Sequence, residues 1–251
     1  MTASSERKRI IGWMMFDWAS QPYATLLLTF IFGPYFAAIV TESLMADGMA
    51  EQAADARAQS LWSLGQTVAG LIVAFSAPVL GAVADAAGRR LPWIWAFSVV
   101  YILGAGALWF TYPDASNAVL MLIFFGIGFI GFEFTTIFTN ALLPDLGERD
   151  EVGAISGSGF ALGYTGGVLS LLVMLLFFVE QPGGTTLLGT APALGLDPAM
   201  REGTRFVGPF TALWYIVFMA VFFLWVREKR TPFIRGVSLR NAFAELGATL
   251  A

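Results

Sequence analysis

Six stretches of this chain are each long and apolar enough to cross a bilayer, which leaves the polypeptide few ways to fold. They run from Gly12 to Val40, Leu61 to Val83, Pro92 to Tyr112, Asn117 to Leu143, Val152 to Val179 and Val207 to Val226. A helix needs about 20 mainly apolar residues to cross about 30 Å of hydrocarbon. None of the six alternates apolar and polar residues as barrel strands do. In lipid the backbone must satisfy its own hydrogen bonds, so these segments are expected to be helices. Composition agrees: 57% of the 251 residues are apolar and 13% charged, against about 45–50% and about 25% in soluble domains. The expected fold class is an all-α membrane protein of six transmembrane helices. Residues 1–226 form the bundle and residues 227–251 a cytoplasmic basic and amphipathic segment.

The first stretch contains Pro22 and Pro34, which predicts a tilted or kinked span. Asp17 interrupts its apolar run and no small-residue cleavage site follows, so it is not read as a signal peptide. With the N-terminus inside, the inner segments hold Arg7, Lys8, Arg9, Arg89, Arg90, Arg149, Arg227, Lys229, Arg230, Arg235 and Arg240, and the outer loops hold Arg57, Arg201 and Arg205. That is 11 against 3 of the 14 basic residues. The bias places both termini in the cytoplasm, as an even number of crossings requires, and suits a bacterial inner membrane. The outer loop from Glu180 to Phe206, rich in Gly, Pro and Thr, is expected to be irregular. Leu239, Phe243, Leu246 and Leu250 recur at helical spacing and predict an amphipathic helix on the inner surface.

The side-chain inventory narrows the chemistry. There is no Cys and no His, and the net charge is −4, so thiolate nucleophiles, thiolate metal sites and imidazole bases are excluded and no basic surface is available for nucleic acid. No cofactor or metal is expected, and no enzymatic motif is present. The partners expected are the bilayer and a small-molecule substrate.

Two carboxylates fall inside the spans, Asp17 and Glu133, with no Lys or Arg in a span to pair with them. Intramembrane acids face a cavity or a bundle interior, and a low dielectric favours their protonated form, a property that proton coupling needs. Glu133 lies about ten residues from the inner end of its span, roughly 15 Å deep at 1.5 Å per residue. The plainer alternative is a protonated Glu hydrogen-bonded between helices. Asp17, Gln21, Thr25 and Thr29 recur every four residues in the first span, and Glu133, Thr136 and Asn140 form a second stripe in the fourth. These stripes are expected to be facing walls of an aqueous path that binds substrate or protons, the alternative being hydroxyls bonded back to their own helix.

Glycine is concentrated in the fifth span, where Gly153/Gly157, Gly159/Gly163 and Gly163/Gly167 are four apart. Gly157, Gly159, Gly163 and Gly167 are therefore expected to let another helix approach closely. Trp13, Trp18, Trp93, Trp95, Trp109 and Trp225 lie near span ends, where interfacial aromatics are expected.

The loop between the second and third spans reads Gly81-Ala-Val-Ala-Asp85-Ala-Ala-Gly88-Arg89-Arg90. Its glycines allow a tight turn, Asp85 can sit against a helix N-terminus, and the two Arg hold the loop inside. The pattern resembles the signature between the second and third helices of the major facilitator superfamily, in which the equivalent Asp latches two six-helix halves in the outward-facing state. Gly12-Trp13, Phe16-Asp17-Trp18-Ala19-Ser20-Gln21-Pro22-Tyr23-Ala24-Thr25, Asn140-Ala-Leu-Leu-Pro144-Asp145, Ser156-Gly157 and Ala161-Leu-Gly163-Tyr164-Thr-Gly166-Gly167 look like the vacuole-effluxer branch, related to autophagy-linked amino-acid exporters. These matches fall in order over the first five spans.

The resemblance implies secondary transport, with the substrate near the midplane between two halves. The chain is expected to supply the N-terminal half alone, so that a second six-helix half comes from covalent continuation, a copy of itself or a separate chain. Within the chain, Arg149 is the one nearby cation outside its own loop with which Asp85 is expected to pair. The function implied is transport of a small solute such as an amino acid by alternating access, coupled to protons through Glu133 or Asp17. The competing reading, from another class, is a non-transporting membrane scaffold or assembly factor that keeps the fold.

Overall fold

A computed structural model describes residues 3–228. The expected amphipathic helix of the tail, with Leu239, Phe243, Leu246 and Leu250, lies outside the described residues. Six helical passes long and apolar enough to span a membrane make one bundle with no strand among the described residues. The first pass is α1 (Ala3–Pro22), a π-helical segment (Tyr23–Phe30) and α2 (Phe32–Ala46). The others are α3 (Glu51–Ala87), α4 (Leu91–Ala107), α5 (Ala118–Asn140), α6 (Val152–Phe177) and, after the four-residue α7 (Glu202–Arg205), α8 (Val207–Trp225).

The first two passes outrun the apolar runs that predict them, whereas the other four helices end one to five residues short of theirs. The first begins nine residues before Gly12, and α3 continues for 37 residues. Hydropathy marks the part of a helix that lipid surrounds, whereas backbone hydrogen bonding carries the helix on into water. The bend in the first pass has a definite form. Pro22 closes α1, and the next turns widen: the Ile31 N–H donates to the Leu26 carbonyl at 2.9 Å, five residues back. Ile31 itself leaves helical geometry at φ −121°, ψ −62°. Such π segments interrupt an α-helical ladder, and this one begins directly after Pro22, which supplies no N–H.

Packing follows small residues. α4 lies along α5, and two glycine contacts fix that crossing. A Cβ at Gly104 would strike the backbone of Gly128, and one at Gly131 the backbone of Tyr101. Beneath this crossing sits an aromatic core of Tyr23, Tyr101, Phe125 and Tyr215, each at most 1% exposed. Tyr101 stacks on Tyr215 with ring centroids 4.0 Å apart, and the Tyr23 hydroxyl donates to the Phe125 carbonyl at 2.6 Å. α1 packs on α6 and α8, α2 on α3, and α4 on α8.

Both ends of the bundle are stitched by polar contacts. At the end carrying the N-terminus, Arg9 donates to the Asp145 carbonyl and the Trp13 indole N–H to the Thr139 carbonyl at 2.9 Å. Trp13 is 1% exposed, so it ties the first pass to the fourth and does not stand in an interfacial belt.

Candidate functional site

The first polar stripe is laid against glycine. Gly159, Gly163 and Gly167 of α6 are four apart and meet Asp17, Gln21 and Thr25, also four apart. A Cβ at Gly159 would lie 2.6 Å from Asp17 Oδ2, at Gly163 3.0 Å from Asp17 Cβ, and at Gly167 2.5 Å from Thr25 Oγ1 and 2.9 Å from Gln21 Cγ. Gly166 makes room for Trp18 in the same way. Gly157 does not belong to this face: like Gly153 it meets open space, because it stands two residues, about 200° around the helix, from Gly159. The expectation of a packing glycine there is corrected.

Thr29 leaves the stripe. Spacing of four repeats a face only on an α-helix, and the π segment intervenes. Thr29 is exposed, its hydroxyl donates to the Ala24 carbonyl at 2.9 Å, and it lines a 470 Å³ pocket with Pro34, Gln59, Trp62 and Gln66.

α5, which carries the second stripe, packs mainly against α4 and α3, whereas the Asp17 stripe rests on α6; α1 and α5 touch where Trp13 meets Thr139. Glu133 and Thr136 are half-buried and Asn140 is exposed. The Thr136 hydroxyl donates to the Phe132 carbonyl at 2.8 Å, bonding back to its own helix. Neither Asp17 nor Glu133 has a hydrogen-bond or ion-pair partner among the described residues.

The loop between the second and third passes is ordered by charge. α3 ends at Gly88, whose φ of +64° is left-handed and suits glycine. Gly81 meets open space. Asp85 pairs with Arg90 at 3.0 Å, and the other Arg90 arm donates to the Ala141 carbonyl at 3.0 Å. No pair joins Asp85 to Arg149, which is exposed, so that expectation is corrected; a partner five residues away within the same loop is reached first. Nor does Asp85 occupy the start of α4. Glu228 does, accepting from the backbone N–H of Arg90 at 2.6 Å and of Leu91 at 3.1 Å, a carboxylate on the positive end of a helix.

Sequence reasoning missed the cluster at the opposite end. The loop from Glu180 to Phe206 folds back over the bundle. Arg205 is 1% exposed and donates to the Trp109 carbonyl and to the Met200 carbonyl at 3.2 Å, its guanidinium lying 4.2 Å from the Tyr112 ring centroid. Glu180, also buried, accepts from the Thr204 N–H at 3.1 Å and its hydroxyl at 2.5 Å, and sits 3.1 Å from Arg201. Tyr35 donates to the Thr111 carbonyl at 2.8 Å beside them. The signal available in the sequence was opposite charge at the two ends of the loop, Glu180 against Arg201 and Arg205.

Set beside known proteins, the chain matches a family model described as "Vacuole effluxer Atg22 like" over residues 5–154. It is similar to a Bacillus subtilis (strain 168) protein described as the uncharacterized MFS-type transporter YxiO, 25% identical over 245 residues. That alignment takes in 95% of this chain and 51% of the relative, so the chain spans about half of the relative's length. No solved structure matches it.

Proposed function

Because this chain belongs to the vacuole effluxer Atg22-like family, a family of major-facilitator-type transporters and not of enzymes, we propose that it forms the N-terminal six-helix half of a secondary active transporter. The solute is small, an amino acid by resemblance to the exporters of that branch. Transport proceeds by alternating access, this bundle rocking against a second half. Residues 1–226 are the bundle and residues 227–251 the connector, with both termini cytoplasmic and the whole in a bacterial inner membrane.

The observation that carries this reading is the state of the two intramembrane acids. Asp17 and Glu133 are half-buried in spans with no polar partner among the described residues. Structural glue would have a partner within the bundle. An acid left open fits a group that meets substrate or takes up a proton during the cycle. Gln21, Thr25, Thr136 and Asn140 are the proposed companions of these acids. Asp85 with Arg89, Arg90 and Arg149 forms the proposed gating loop, the Asp85–Arg90 pair being available for exchange against the second half.

Uptake of candidate amino acids into proteoliposomes tests the reading. An imposed pH gradient is expected to drive uptake, Glu133→Gln to abolish that drive, and Asp17→Asn to slow it by about tenfold or more, the scale of losing one charged contact. Uptake indifferent to the gradient and to Glu133→Gln removes the coupling. Tolerance of both substitutions without phenotype favours the scaffold reading.

A further inference from the structure

The break in the first pass falls within its apolar run and borders the 470 Å³ pocket that Thr29 lines. Pro34 supplies no N–H to the Phe30 carbonyl four residues back, and the Tyr35 N–H goes to the Ile31 carbonyl at 3.0 Å. Backbone that leaves helical geometry inside a span is tolerated where protein buries it or where it borders water. Across the pocket α3 presents Gln59, Trp62 and Gln66, which share one helix face at spacings of three and four. Gln66 lies roughly 8 Å inside the apolar run that begins at Leu61. Trp62 is 6% exposed. Its indole N–H makes no hydrogen bond among the described residues and, unlike that of Trp18, is not sealed from solvent. The ring edge that carries the nitrogen lies beside Gly33, Cε2 being 3.3 Å from where a Cβ would stand. Neither the Gln59 nor the Gln66 amide has a hydrogen-bond partner among the described residues.

We propose that this pocket is a second binding station on the transport path, for small solutes of zero net charge that both donate and accept hydrogen bonds. The proposal deepens the transporter reading and rests on it. Three observations carry it. None of the eight residues lining the pocket is charged. The nearest acid along α3, Asp55, stands outside the lining and accepts from the Thr41 hydroxyl at 2.9 Å. A solute with net charge would enter without a counter-charge, at a cost in desolvation. Next, three polar side chains line the pocket unpaired, and one of them, Trp62, is otherwise buried. Polar groups left so inside a span are costly until something pairs with them. Last, an interrupted helix brings a carbonyl end and an N–H end to one place. The carbonyl end suits an ammonium group, whereas the start of α2, the Trp62 indole and the two amides suit a carboxylate. A zwitterion is met at both poles with no charged side chain. Asp17, Gln21 and Thr25 lie before the break, against α6, so this station is separate from them.

Because the chain has no Cys, one introduced thiol reports on this pocket alone. The full chain carrying Thr29→Cys, in mild detergent, is treated with a methanethiosulfonate reagent, and modification is followed by mass spectrometry. Glutamine is expected to slow modification about tenfold at a concentration that fills roughly nine-tenths of the sites. Glutamate and lysine, each carrying a net charge, are expected to need about tenfold more for equal protection. Trp62→Phe, which keeps a packed ring and removes the N–H, and Gln66→Leu are each expected to raise the glutamine requirement by about tenfold. No protection by glutamine, equal protection by all three solutes, or protection unchanged in either variant overturns the proposal. Uptake assays separate its failure from that of the transporter reading. Protection without uptake in proteoliposomes removes that reading and, with it, the place of this site on a path; uptake without protection removes the site alone.

Discussion

Arg205 shows how a single side chain closes one end of the bundle. An arginine is seldom buried without a carboxylate, and this one is held by backbone carbonyls of Trp109 and Met200 and by the faces of Tyr112 and Trp109. Charged hydrogen bonds of this kind contribute about 1.5–3 kcal/mol each. Arg205→Ala is therefore expected to destabilise the protein by about 3 kcal/mol, read as a fall in the thermal unfolding midpoint in detergent. Arg205→Lys is expected to recover only part of it, because an ammonium lacks the planar fork that reaches two carbonyls. An unfolding midpoint unchanged in Arg205→Ala would show that the loop, and not this residue, seals the end. In the sequence Arg205 reads only as one more loop charge, since burial of a cation by carbonyls leaves no pattern in residue spacing. Asp17 and Glu133 were legible because an acid in an apolar run is conspicuous wherever it stands.

At the scale of helices, close approach is decided by which glycines face a neighbour's backbone. Gly131→Ala is expected to cost about 1–3 kcal/mol through overpacking against Tyr101, whereas Gly157→Ala, opening on free space, is expected to be neutral or slightly stabilising by helix propensity. Thermal unfolding of the two variants side by side checks this, and equal effects would refute the assignment of faces. The spacing in the sequence identified Gly159, Gly163 and Gly167, but the pair Gly153/Gly157 has the same spacing and packs on nothing among the described residues. Spacing tells which residues share a face; only the fold tells which face is covered. The π segment was hidden for a related reason. Prolines announce that the first pass bends, yet the shift of Thr29 out of its stripe depends on how the ladder recloses after Pro22.

For the whole molecule the least covered element is α3. Only 17% of its apolar window is buried, against 50% for the first pass, and it rests mainly on α2 and α5. Six passes and their membrane character were plain from the apolar runs. The arrangement of the passes was not, since the order of contact among lipid-soluble helices depends on small residues and polar tips that hydropathy averages away. A bundle with one such long, open helix fits the proposed pairing with a second six-helix body. Native mass spectrometry of the polypeptide in mild detergent is expected to show this chain joined to a second half, as a copy, a separate chain or a continuous one. A lone species of 27.1 kDa would count against that pairing.

The face between the first and fifth passes has one more property. Gly159 and Gly163 both come up against Asp17, and Gly167 against Gln21 and Thr25, while Trp13 is seated at Gly159 and Trp18 at Gly166. Large side chains as well as small ones therefore set the register of the two helices. Asp17 is the ionisable group in that seam, so a proton gained or lost there would change its chemistry at the place where two glycines hold it closest.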